Sequence, residues 1–120
     1  MTYSQSTGEL KAADGTLVGR GFSGIGEGLN QPAMQGVYNV GPLPVGFYRM
    51  DTPVNNMLLG RFVIPLKPNP NNKMYGRKGF YMHGECLQHP LQSSHGCIVM
   101  GLTTREAAWL SGDRVIEVVA

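Results

Sequence analysis

Residues 1–22, MTYSQSTGELKAADGTLVGRGF, decide the fold class. Apolar and polar side chains alternate in Thr2–Gln5 and Glu9–Ala12, which flank Ser6-Thr7-Gly8, and Asp14-Gly15 leads into Thr16–Phe22. Asp-Gly between alternating segments is a strong hairpin signal, so the stretch predicts a small antiparallel meander. Outward from it, residues 23–35 (SGIGEGLNQPAMQ) are too rich in Gly, Asn and Pro to be regular. The spacing Gly24-x-Gly26-x-Gly28 would suit a phosphate loop only if a helix began inside it; Asn30 and Pro32 follow instead, so a loop is expected. Gly41-Pro42-Leu43-Pro44-Val45-Gly46 is a rigid turn that launches a strand at Phe47–Asp51. A further strand fits Leu58–Leu66, with Pro65 placing its end at an edge or bulge. Lys67–Lys73 reads as a loop, and Gly79–His83 and Ile98–Met100 as short strands. One helix is predicted at Thr104–Leu110, where Thr103 and Glu106 have capping-box spacing, and Arg114–Val119 alternates as a last strand. The expected fold is mostly β, a small sandwich or barrel with one short helix near the C-terminus, in a single domain over residues 1–120.

Composition bounds the function. A chain of 120 residues holds one core and not two. Its 17 Gly and 8 Pro fit many turns between short strands. A formal charge of +2, with Lys and Arg scattered singly, gives no basic stripe for nucleic acid. The polar opening MTYSQSTGEL lacks the apolar core of a signal peptide, and no run approaches the roughly 18 apolar residues of a membrane span. Synthesis in the cytoplasm as a soluble monomer is the expectation.

The reactive side chains are concentrated in residues 81–100, YMHGECLQHPLQSSHGCIVM, which hold all three histidines and both cysteines. A thiol attacks strongly only as thiolate, so it needs an imidazole or a positive environment nearby. Cys97 is the candidate nucleophile and His83, at the end of a strand, its base. Gly96 permits a sharp turn in which successive N–H groups converge as an oxyanion hole. Ser94 and His95 would shape that turn, and Gly84 would leave room behind His83. Taken singly, Cys97 is a buried small apolar residue and His83 a structural histidine; the combination favours chemistry. Cys86 reads as an incidental thiol, since two cysteines make no disulfide framework, although a Cys86–Cys97 bridge would act as a redox switch. His89-Pro90 reads as a loop tip, Phe80 and Tyr81 as core and wall, and Trp109 as core.

His83-Gly84 followed by Ser94-His95-Gly96-Cys97-Ile98 resembles the L,D-transpeptidase motif. Tyr3-Ser4-Gln5-x-x-Gly8-x-Leu10, Gly41-Pro42-Leu43-Pro44-x-Gly46-x-Tyr48 and Gly76-Arg77-x-Gly79-Phe80 narrow the match. Together they resemble the small L,D-transpeptidase-like (YkuD-related, Tlde1-like) toxin domains delivered by type VI secretion. The resemblance implies a cofactor-free enzyme acting on peptidoglycan stem peptides, in the periplasm of a target bacterium. Cys97 would be acylated at the third stem residue as D-Ala leaves; Gly96 and Cys97 N–H groups would hold the oxyanion. It also implies an immunity protein and a secretion-apparatus component as partners. Cell-wall-building relatives often carry Arg two residues after the Cys, where this chain has Val99; Arg77 or Arg105 is expected to replace that charge, with Tyr81 lining the substrate. Two rival classes compete with this reading. Zinc could draw on His83, Cys86, His89, His95 and Cys97, but their interleaving fits structural zinc poorly, and no metal is expected. A wall-binding module without catalysis would not need an activated thiol. Papain-like and NlpC-like peptidases place Cys before His and on a helix, the reverse of the order here.

Overall fold

The structure is a computed structural model, and it describes residues 1–85 and 94–120. The opening meander forms as expected: β1 (Thr2–Ser4) pairs antiparallel with β2 (Glu9–Lys11), and β2 with β3 (Leu17–Arg20). At the β2–β3 turn the Thr16 N–H donates to the Asp14 carboxylate at 2.9 Å, the local bond that favours Asp in turns. The long strand expected at Thr16–Phe22 is divided by Gly21, after which β4 (Phe22–Ser23) follows. A Cβ on Gly21 would lie 1.8 Å from the Val99 carbonyl oxygen, so only glycine lets the chain cross there.

The remaining strands are β5 (Gly46–Met50), β6 (Val54–Asn56), β7 (Gly60–Pro68), β8 (Phe80–His83), β9 (Ile98–Val99) and β10 (Val115–Val119). They form one ten-stranded sheet in the order β3-β2-β1-β10-β5-β7-β8-β9-β4, with β6 beside β7. The two ends of that order, β3 and β4, are joined by Gly21 alone. The chain itself therefore links the two ends of the sheet at the Gly21 bend. Tyr3, Leu10, Tyr48, Ile64, Leu66, Met82, Ile98 and Ile116 fill the core. Residues 23–35 carry two single-turn 3₁₀ segments, Gly26–Gly28 and Pro32–Met34, and no phosphate-loop helix.

Three expectations are corrected in detail. The strand expected at Leu58–Leu66 is β7, shifted to residues 60–68, and it is preceded by the unforeseen β6 across a Met57–Leu59 turn. Pro65 lies inside β7 and not at its end. Its carbonyl accepts from the Asp51 N–H at 3.0 Å, so its missing donor faces the break between β5 and β6, where no ladder bond is lost. The helix, α1 (Leu102–Leu110), starts before Thr103, with Gly101 at its N-cap and no side-chain cap bond. Arg105 fixes its start: the guanidinium donates to the Met100 carbonyl just ahead of the helix and to the Phe62 carbonyl at 3.1 Å.

Candidate active site

Strand register places the two candidate side chains on one face of adjacent strands. β8 and β9 run parallel with Met82 beside Ile98 and His83 beside Val99, which sets Tyr81 beside Cys97. Met82 and Ile98 are fully buried in the core, so Tyr81, His83, Cys97 and Val99 share the opposite face. Cys97 and His83 are thus diagonal neighbours on adjacent strands, a spacing of about 7–8 Å.

His83 is only 3% exposed, and its Nδ1 lies 2.8 Å from the Gly84 carbonyl oxygen. A carbonyl can only accept, so Nδ1 carries the proton and Nε2 is left as the basic nitrogen. Burial, aided by the charge of Arg105 and opposed by the Gly84 carbonyl, holds the imidazole below its ordinary pKa. Half-buried Cys97 is a free thiol. Burial pushes it up, while a backbone hydrogen bond from Tyr81 and the charge of Arg77 pull it down. The resting pair is therefore neutral thiol and neutral imidazole at pH 7.

The turn ahead of Cys97 is built on Ser94, which is fully buried. Its Oγ donates to the Cys97 carbonyl at 2.6 Å and accepts the N–H groups of Gly24 at 2.9 Å and Gly96 at 3.1 Å. The Gly96 N–H, assigned above to the oxyanion, is thus engaged inside the turn. Gly96 has φ +126°, and a Cβ there would meet an Arg77 guanidinium nitrogen at 2.3 Å. Ser23, whose role the sequence did not signal, donates from Oγ to the Gly96 carbonyl at 3.1 Å. His95 is exposed, with Nδ1 3.3 Å from the Asn39 carbonyl oxygen.

Both arginines expected to meet a substrate carboxylate are buried among backbone carbonyls. Arg77 donates to Gly41 and Pro42 at 2.9 Å, to His95 at 3.2 Å and to Gln35, tying the Gly41–Gly46 turn to the Cys97 turn. Arg105 donates to Met100, Phe62 and Arg61, and it packs under Gly84, where a Cβ would meet its guanidinium at 2.9 Å. One arginine supports the Cys97 turn and the other the His83 end of β8. Each guanidinium is held mainly by backbone carbonyls.

Residues 18–115 match the family model of the Tlde1 domain, which covers most of the chain and includes both His83 and Cys97. The chain belongs to the Tlde1 domain family, a family of type VI effector domains. No curated protein and no solved structure matches it.

Two clefts of this Tlde1 domain are lined by residues of β7 and β8. One, of about 800 Å³, is lined by Pro65, Lys67, Gly79, Tyr81 and Trp109. The other, of about 440 Å³, is lined by His83, Gly84, Arg61 and Leu58. Among the described residues, no three His, Cys, Asp or Glu side chains gather as metal ligands. Cys86 and His89, considered above for redox or zinc roles, lie outside the described residues. Among the described residues, no helix is long and apolar enough to cross a membrane.

Proposed function

We propose that this Tlde1 domain is a cysteine-dependent L,D-carboxypeptidase or L,D-transpeptidase acting on peptidoglycan tetrapeptide stems. The carrying observation is the diagonal placement of Cys97 and His83, with Nδ1 held by the Gly84 carbonyl so that Nε2 is the base. Nε2 takes the Cys97 proton as Sγ attacks the carbonyl carbon of the third stem residue. The oxyanion is assigned to the Cys97 N–H, because the Gly96 N–H is held by Ser94. The tetrahedral intermediate collapses, the C–N bond breaks, and the imidazolium gives its proton to the departing amine of D-Ala. A thioester remains. Water, giving its proton to Nε2, releases a tripeptide acid and restores the thiol; a D-amino acid or a second stem in place of water gives exchange or a cross-link.

In the cell this reading makes the chain an antibacterial effector, active in the periplasm of a target and countered by an immunity protein in its producer. The test is incubation with a purified disaccharide tetrapeptide, followed by mass spectrometry. Wild type is expected to remove D-Ala or swap it for a supplied D-amino acid, and Cys97→Ala to do neither while keeping its fold. Unchanged tetrapeptide in the presence of reduced wild-type protein would sink the proposal.

A further inference from the structure

Val99 removes the cation that the L,D-transpeptidase resemblance places after the Cys, and Arg77 and Arg105 are both held mainly by backbone carbonyls, so the substrate's terminal carboxylate needs another partner. Beside His83 the structure offers one. The ladder between β6 and β7 shifts register between Val54 and Asn56, and within the same stretch Phe62 has φ +53°. A positive φ is costly for a bulky residue, and a bulge of this kind re-aims the side chains around it. Here the distortion turns the successive carbonyls of Arg61 and Phe62 onto the one Arg105 guanidinium, at 3.2 and 3.1 Å. The same distortion leaves the exposed Arg61 side chain lining the 440 Å³ cleft that contains His83. Among the described residues no ion pair involves Arg61. The charged groups on that cleft are Arg61, Arg105 and Glu85; Arg105 is committed to carbonyls, so Arg61 is the cation that faces solvent there.

Reaction geometry fixes which part of the substrate enters this cleft. The group that protonates the departing amine is His83, so the departing residue lies on the His83 side of Cys97. The acyl part extends the other way, out of the His83 cleft. In a tetrapeptide, the departing residue carries its carboxylate one carbon from the amine. We propose that Arg61 is the specificity-determining residue that binds the terminal carboxylate of the leaving D-amino acid, and of the incoming one during exchange. The guanidinium fork suits bidentate pairing with a carboxylate. The inference rests on the tetrapeptide reading of the Cys97–His83 pair.

The experiment compares a disaccharide tetrapeptide with the same compound ending in D-alanine amide, using wild type, Arg61→Ala and Arg61→Lys. Wild type is expected to prefer the acid. Arg61→Ala should lose roughly 10- to 100-fold in kcat/KM on the acid, through KM, and little on the amide. Arg61→Lys should recover part of the preference. An Arg61→Ala protein that keeps the wild-type preference for acid over amide overturns this inference alone. Wild type inactive on both compounds overturns the parent reading and this one with it. Thermal melting of each variant serves as the folding control, since the Arg61 carbonyl bond to Arg105 survives truncation of the side chain.

Discussion

Gly96 shows how much a single residue carries in this site. Its φ of +126° is in the region glycine favours, and a methyl group there would collide with the Arg77 guanidinium at 2.3 Å and the Phe80 ring at 2.8 Å. Both neighbours are buried, and Arg77 is fixed by four carbonyls, so neither has room to yield. Gly96→Ala is expected to displace the Cys97 turn and reduce D-Ala release by at least about 100-fold, a scale typical of losing an oxyanion donor. Retention of near-wild-type turnover would mean the turn is not the catalytic element. His83 makes a second prediction at this scale. The working form of the pair needs neutral imidazole, and burial holds its pKa below the ordinary 6.5. On acidification, activity should persist through 6.5 and fall only below it. A kcat/KM profile for D-Ala release whose acid limb had its midpoint above 6.5 would exclude His83 as the buried base described here.

Among the elements, α1 and the β6–β7 bulge depend on each other through Arg105, whose three carbonyl partners come from β7 and from the residue before Gly101. Arg105→Met keeps the length of the side chain and removes every donor. The carbonyls of Arg61, Phe62 and Met100 then lose a charged partner, at a cost of at least about 2 kcal/mol measured by urea unfolding, and the bulge can relax. Wild-type stability in this variant would show that water replaces the guanidinium without loss. The same element shows what the sequence revealed and what it hid. Hairpin signals at Asp14-Gly15 and alternation at Arg114–Val119 are local, and both were legible. His83 and Cys97 were legible as reactive types, but the parallel β8–β9 pairing that sets them diagonally was not, because two short strands carry no local signal of partner or direction. The roles of Arg77 and Arg105 were not legible, because a buried arginine satisfied by backbone carbonyls has the same local sequence as an exposed one. The start of α1 was misplaced for a related reason. The capping-box spacing of Thr103 and Glu106 is a local preference, and the Arg105 contacts across the fold override it. Ser23 carried no signal either, and Ser94 was legible as shaping the turn but not as reaching Gly24; these bonds span some 70 residues of chain.

For the whole molecule, the deciding feature is that the last strand is central. β10 lies between β1, to which it is parallel, and β5, to which it is antiparallel. The opening meander and the strands that bear the site, β7 to β9, are therefore joined through it on one side and through the bend at Gly21 on the other. Two routes of connection join these parts, so damage to either should be felt across the domain rather than locally. Ile116 on β10 is fully buried, whereas Leu17 on β3 is 48% exposed. Ile116→Ala should cost about 2–5 kcal/mol, the range for deleting a buried branched side chain, and Leu17→Ala should stay within about 0.5 kcal/mol. Because the site strands share the core with β10, Ile116→Ala should also lower the urea midpoint at which Cys97 becomes open to a thiol reagent, in step with global unfolding. If Cys97 labelling and global unfolding separated in urea, the site strands would be a unit that outlives the meander, and the two-route account would fail.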